Sequence, residues 1–277
     1  MLTLENELSK SKLEFLYLTQ KLSDAEIAKM YNVSGGRIHR LRNRYNINAI
    51  EYYQRHHKQE LDNKEKEFLV GTILGDGHIR WRNQKDKRAY PQLMLEQSTK
   101  HSEYAFWLKD QVKDWLFDQD KILKQARKIT KGIVHHSYPF QTICHPVFIE
   151  FYNGFYVDRK KVVNIDFIKK YFSPFSLAVW LMDDGTISKN RNIAICSHSF
   201  TKEENEILSQ FILEKFNIKS VLWENNIAKI PLYYLAFSKE DSIKIKELVQ
   251  EYFVPSMLHK LSISSETTKE SYNQLIV

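Results

Sequence analysis

Cysteine is nearly missing from this 277-residue chain: only Cys144 and Cys196 occur, far apart, so no disulfide framework is implied. Cys and His ligands at the usual spacing of a structural zinc site are missing too. Eight glycines and six prolines leave no low-complexity stretch, no collagen period and no Pro-rich linker. No apolar run approaches the roughly 20 residues that a helix needs to cross a bilayer, so a membrane location is not expected. Acids, by contrast, stand where a targeting signal would lack them: Glu5, Glu7 and Glu14 interrupt the first residues, which fits neither a secretory signal nor an acid-poor presequence. The expected location is therefore intracellular, in the cytoplasm, nucleoid or organelle matrix where the chain is made. The chain also lacks the terminal nucleophile and His-Asn pair of a protein-splicing element, so that class is not expected.

What is present is a folded protein of 33.0 kDa, with 43% hydrophobic and 13% aromatic residues, enough for one large domain or a small one joined to a larger one. The formal charge is +7 and the pI about 9.1, the surplus being shared between residues 1–60 and the remainder. Arg37, Arg40, Arg42 and Arg44 cluster without an acid, as do Lys121, Lys124, Arg127, Lys128 and Lys131. Such patches suit phosphate, although a Lys/Arg run is also an ordinary solvated face.

Near the N-terminus, Ser23 and Glu26 form a capping box for a helix whose apolar stripe is Ala25, Ile27, Ala28 and Tyr31, ending near Asn32. Val33 suits a buried turn. Ser34 can cap a second helix in which Ile38 and Leu41 point inward while Arg37, Arg40 and Arg44 point outward. The pattern resembles a helix-turn-helix, whose second helix enters the major groove; the alternative is a helical hairpin with a wet basic face. Residues 51–62 are read as a connector.

The segment Phe68 to Gly77 is an apolar helix stopped by Asp76-Gly77, and Leu177 to Gly185 repeats the design with Asp184-Gly185. One copy would be weak, because a glycine-capped helix is common. The downstream features also recur: a hairpin, then Glu96-Gln97-Ser98 or Ser197-His198-Ser199, then a helix. The aspartates are 108 residues apart and Gln97 and His198 are 101 apart, which implies two unequal α-β-β-α-β-β-α units. The fold class expected is α+β: two pseudo-symmetric halves with antiparallel saddle sheets, residues 63–172 and 173–277, after a small all-α module over 1–50.

A carboxylate at a helix C-terminus faces the negative end of the macrodipole, at a cost of roughly 0.3–1 kcal/mol, and two brought together repel each other as well. A divalent ion resolves both problems, since hard carboxylate oxygens with open positions for water and phosphate are what Mg²⁺ accepts. The glycines from Gly71 to Gly77 have neither the Gly-Lys-Ser/Thr ending of a P-loop nor the dinucleotide fingerprint, and the stretch from Met182 to Gly185 is not an EF-hand loop.

Together, residues 69–77 and 177–185 resemble the paired signature motifs of LAGLIDADG homing endonucleases in their two-motif, mitochondrial intron-type form. The likeness runs from about Lys64 to Glu266 and is closest over Ser173 to Gly185, Ser199 to Thr201 and Tyr252 to Leu261. The resemblance implies that the two motif helices form the interface between halves, that the sheets form a saddle over double-stranded DNA, and that Asp76 and Asp184 bind catalytic metal. Mg²⁺ is the expected cofactor, with Mn²⁺ able to substitute, and Gly75 and Asp183 are offered as further metal contacts. One lysine per half is also implied, and Lys161 and Lys260 hold the matching places, with Lys160 as the neighbouring alternative to the first. Gln97 and His198 are candidates for holding water at the metal, although capping or core hydrogen bonds explain them as well. Two motifs in one chain imply a monomer without an obligate partner.

The second motif departs from the first in carrying Val179 and Asp183 where the first has Gly71 and Gly75, so looser packing is expected there. Base contacts are expected from sheet positions that alternate with the core. In the first half these are Arg80 and Arg82, with Ile79 and Trp81 turned inward, and Lys85, Lys87 and Arg88 steering the loop onto phosphates; Lys189 and Arg191 serve the second hairpin, and Lys124 and Arg127 of the basic cluster are further candidates for DNA contact. Two alternatives stay open at this stage: a non-catalytic DNA-binding regulator and an RNA-splicing maturase of the same fold.

Overall fold

The computed structural model describes residues 4–50, 58–81, 89–118, 123–130, 133–188, 192–225 and 231–261. It divides into two compact units, Met1–Gln59 and Glu60–Val277.

The first unit contains α1 (Leu4–Glu7), α2 (Lys10–Glu14) running into a π-helical turn at Phe15–Thr19, α3 (Asp24–Met30) and α4 (Gly35–Arg44). Its core joins Leu8, Leu13 and Leu16 to Ile27, Ile38 and Leu41, so the two helices legible in the sequence need the preceding turns to cover them. The capping box of α3 is formed, with the Ser23 amide donating to Glu26 Oε2 at 2.7 Å and the Glu26 amide to Ser23 Oγ at 3.2 Å. Ser34 stands at the N-cap of α4 but makes no side-chain cap bond, so α4 starts on backbone geometry. Arg42 is not part of a basic surface. It is buried, with Nη1 donating to the Ile47 carbonyl at 2.8 Å, Nε donating to Asp24 Oδ1 at 3.3 Å, and the guanidinium over the Tyr17 ring.

The second unit opens with α5 (Asn63–Leu74), capped by an Asp62–Glu65 box, followed by β1 (His78–Arg80), β2 (Gln92–Ser98), α6 (Ser102–Gln111), β3 (Ala126–Thr130), β4 (Ile133–Gln141) and α7 (Phe148–Phe155). A short hairpin of β5 (Tyr156–Val157) and β6 (Lys160–Lys161) leads into α8 (Ile165–Tyr171). The order then repeats with α9 (Pro174–Asp184), β7 (Gly185–Ile187), β8 (Ile193–Cys196), α10 (Lys202–Phe216), β9 (Ser220–Asn225), β10 (Leu232–Phe237) and α11 (Lys239–Val249), and a 3₁₀ segment at Pro255–Leu261 follows. Both four-stranded sheets are antiparallel with the same topology, β1-β2-β4-β3 and β7-β8-β10-β9, and the repeated units share one core. Among the described residues no helix is long and apolar enough to cross a membrane.

Helices α5 and α9 pack side by side along nearly their whole apolar length, with Val70, Ile73, Leu74, Trp180, Leu181 and Met182 sealed from solvent. Each such side chain contributes about 1.5–3 kcal/mol of burial. The departure in the second motif proves to be the fit itself. A Cβ on Gly71 would lie 2.5 Å from the Ser176 carbonyl oxygen and 2.9 Å from Val179 Cβ, and one on Gly75 would lie 2.5 Å from Asp183 Cβ. The two larger residues of α9 thus fill the hollows left by the two glycines of α5, and packing is closer there, not looser. Because the obstacle at Gly71 is backbone, Gly71→Ala is expected to push the helices apart and destabilise the fold by about 1–3 kcal/mol. A lowered urea midpoint with unchanged slope checks this.

Candidate active site

The packing of α5 on α9 decides where the acids go. Helix α5 ends at Leu74, so Asp76 stands just beyond it, whereas Asp184 is the last residue of α9. Each is followed by a glycine folded tightly over the preceding turn: a Cβ would come within 2.7 Å of Thr72 Oγ1 at Gly77 and within 2.3 Å of the Leu181 carbonyl oxygen at Gly185. The Asp-Gly pairs are therefore a steric requirement of the turn that aims the carboxylates.

A third acid joins them. Asp183 accepts from Tyr104 Oη at 2.8 Å, Thr72 Oγ1 at 3.3 Å, the Asp76 amide at 3.3 Å and Gln97 Nε2 at 3.4 Å. Gln97 Nε2 also donates to Asp76 Oδ2 at 3.0 Å. The Asp183 carboxylate is thus turned into the helix interface, where it ties the second half to the first. It does not stand open as a metal ligand in the way the sequence suggested. A polar Thr72 within an apolar helix was a visible sign of such a partner; nothing local marked Tyr104.

Both lysines arrive from outside the motif helices. Lys161 Nζ donates to the Gly75 carbonyl at 3.0 Å and the Gly77 carbonyl at 3.1 Å, bracketing Asp76. Lys260 Nζ donates to the Met182 and Asp183 carbonyls at 2.6 and 2.7 Å, directly before Asp184. The strand alternation of β6 leaves Lys160 exposed and turns Lys161 inward. Burial lowers the pKa of each ammonium, and the three acids oppose that shift. The Gly75 carbonyl, offered as a metal contact, is already bonded to Lys161.

Burial and the neighbouring Asp76 charge push Asp184 up to about 7, against the pull of Lys161 and Lys260, and the same two causes hold Asp183 well above the usual carboxylate range. A carboxyl that keeps its proton in the folded chain but loses it near pH 4 when unfolded makes folding take up protons between those values. Stability of the metal-free protein is therefore expected to fall as pH rises from about 4 to about 7. Thermal melts across that range check the sign, and Asp184→Asn should flatten the slope.

His198 is not brought to the acids. The pairing of Ile79 with Leu93 corresponds to that of Ile187 with Ile193, which makes Ser197, not His198, the counterpart of Gln97. Ser197 is buried and bonded to Asn205, while His198 is exposed with its ring edge-on to Tyr234. Among the described residues, only the first half therefore carries an amide against its acid.

The sheet face opposite the core can be followed by register. Arg80 is exposed beside buried Ile79, and the pairings carry its face through Met94, Glu96 and Ser137 to Lys128. Lys128 thus shares the face of Arg80, while Arg127, from the same basic cluster, is exposed on the other side with Gln97 and Tyr138. Lys124 is exposed beyond the sheet, and Arg37 and Arg40 are exposed on α4, where Arg44 is paired with Glu5. Arg82, Lys85, Lys87, Arg88, Lys189 and Arg191 lie outside the described residues. Beside β1, His78, Arg80, Arg159 and Lys161 line a cavity of about 610 Å³ with Trp81, Tyr152 and Tyr156, a basic pocket that adds Arg159 to the sequence's candidates.

Comparison with known proteins follows this geometry. A sequence model of the LAGLIDADG DNA endonuclease family matches residues 66–245, which include both motif helices and both sheets. The chain is 29% identical over 203 residues to a cytochrome b mRNA maturase bI2 of Debaryomyces hansenii, covering 73% of this chain and 74% of that protein. It is 26% identical over 204 residues to a probable intron-encoded endonuclease 1 of Wickerhamomyces canadensis, covering 71% and 83%. Among solved structures, it is similar to the homing endonuclease I-WcaI bound to its DNA recognition sequence, with a TM-score of 0.65 and 26% identity, over 74% of this chain and 88% of that one.

Proposed function

The chain belongs to the LAGLIDADG DNA endonuclease family, and from that premise we propose that it is a homing endonuclease, which grips a long duplex target as a monomer and breaks both strands by hydrolysing one phosphodiester in each. The observation that carries this reading is the site's pseudo-symmetry: each half brings one acid to the helix interface and one half-buried lysine to the carbonyls beside it. Two strands need two reacting centres, and one chain supplies them.

The donor set fits a divalent ion. Among the described residues no three His, Cys, Asp or Glu side chains form a metal cage, so an ion would be held by Asp76 and Asp184 with the remaining positions left to water and phosphate, as Mg²⁺ accepts and Mn²⁺ can replace. When bound, such an ion supplies charge that stabilises the attacked phosphate and lowers the pKa of the attacking water. The chain's own residues do the rest. Gln97 orients the Asp76 carboxylate, and Asp183, held by Tyr104 and Thr72, fixes one helix end against the other. Lys161 and Lys260 offset the acids and offer positive charge where the phosphorane develops.

Sequencing the ends produced from a randomised duplex library in Mg²⁺, with a chelator control, tests the proposal. Metal-dependent double-strand ends at one class of sequence are expected. Retention of duplex without cutting would instead favour a DNA-binding regulator. The similarity to a maturase supports a second reading, RNA-splicing activity, and intron RNA bound without any DNA cleavage would favour it.

The N-terminal unit fits a helix-turn-helix that lengthens the footprint through Arg37 and Arg40. A chain starting near Leu61 keeps both acids and both lysines, so it should still cut, but more weakly bound. Each lost phosphate contact should reduce the slope of log affinity against log salt by about 0.9. Salt titration of both forms on one long duplex measures this, and an unchanged slope would remove the unit from the footprint.

A further inference from the structure

The two sheets present different chemistry on equivalent faces. On the first, Arg80, Glu96 and Lys128 share the face away from the core. On the second, the register places Thr186, Ala194, Ala236 and Val221 in one row, with Ala194 buried between its neighbours, and Cys196, Tyr234 and Trp223 in the next. The alternating residues Ile193, Ile195, Leu235 and Phe237 are buried beneath, which fixes which side these rows occupy. Among the described residues of β7 to β10, no Lys, Arg, Asp or Glu shares that face, the one charged residue of these strands, Glu224, standing opposite. Val221 and Trp223 are 64% and 58% exposed, and the Trp223 and Tyr234 rings lie 5.4 Å apart. Through Cys196, whose thiol feels the Asp184 and Lys260 charges, the row runs outward from the acids.

Resting on the reading that the chain grips duplex DNA, we propose that the half-site beneath residues 173–277 is recognised through the C5-methyl groups of thymines, whereas the other half-site is read by polar contacts. Burying Val221 and Ala236 against the donor and acceptor edges of bases would strip those edges of water and return no hydrogen bond. The thymine methyl is the apolar group that the major groove offers. Indole and phenol then add large contact area, and their Nε1–H and Oη can reach a neighbouring acceptor. The face is continuous by pseudo-symmetry with the charged face of the first half, so one duplex covers both.

Uracil differs from thymine by this methyl alone and leaves base pairing intact. A duplex selected by the wild-type chain in Ca²⁺ is rebuilt twice, with every thymine of one half-site or the other replaced by uracil. The expected loss of affinity falls on one half-site, at roughly fourfold for each methyl contacted. Trp223→Ala and, separately, Val221→Ser should each reduce the difference by about fourfold for every methyl that the side chain covers, and both positions are exposed enough for the fold to tolerate the change. Equal loss from both half-sites, or a selected site with no thymine in either half, overturns the proposal while leaving the nuclease reading intact. So does unchanged duplex affinity combined with quenching of Trp223 fluorescence by a single-stranded oligonucleotide, which would make the face a stacking platform for unpaired bases. Failure to select any duplex would remove the nuclease reading and this inference with it.

Discussion

Asp76→Asn and Asp184→Asn are each expected to abolish double-strand cleavage while leaving duplex binding intact. The substitution keeps size and shape but removes a carboxylate charge from a position that the packing of α5 on α9 holds beside its pseudo-symmetric partner. An ion held by two acids loses half its protein charge, and the several kcal/mol of transition-state stabilisation at stake correspond to about a thousandfold or more in rate. Binding should survive because the sheet faces lie on other strands. Removing one negative charge also relieves repulsion: the Asp76 charge helps raise the pKa of Asp184, so Asp76→Asn should lower that pKa and make the metal-free protein more stable near neutral pH. Affinity in Ca²⁺, cutting in Mg²⁺ and thermal melts on the same samples separate these effects. Full cutting by both variants would sink the assignment of the acids. Nicking of one strand by either variant would show instead that the two centres act independently.

Lys161→Met and Lys260→Met carry the second largest expected effect, a loss of about 10²–10³ in cleavage rate, the range seen when one preorganised charge-stabilising group is removed. Methionine fills most of the space but leaves the carbonyls of Gly75 and Gly77, or of Met182 and Asp183, without their ammonium partner. The acids also lose a compensating charge. Asp184, which Lys161 and Lys260 pull down against burial and Asp76, should then titrate higher still, so the rise of cleavage rate with pH should move to more alkaline values. A purely structural lysine would lower stability without moving that profile. Single-turnover rates between pH 6 and 9 at saturating protein give the readout, and an unshifted profile with normal rate would exclude both lysines from the site.

The sequence alone determined a good deal. The repeated apolar helix ending in Asp-Gly announced two related halves, because a feature that is weak once becomes informative when it recurs with matching neighbours. A helix start was legible where Ser23 with Glu26 closes a capping box, since those bonds join residues three apart. The resemblance implied one lysine per half at Lys161 and Lys260, and the structure brings both to the backbone beside the acids.

What only the tertiary structure decided is how residues far apart in the chain are matched. Val179 and Asp183 looked like obstacles to close packing until Gly71 and Gly75 proved to be the hollows that receive them. Arg42 read as one more surface arginine, but Asp24, Ile47 and Tyr17 converge on it only when α3, α4 and the π-helical turn are folded together. Taking His198 as the counterpart of Gln97, a place that Ser197 holds, is an error of one residue. Side chains on a strand alternate sides with a period of two, so a single-residue difference in hairpin length or pairing moves a residue from one face to the other. Local pattern carries the period but not the register, which is set by contacts across strands and between helices.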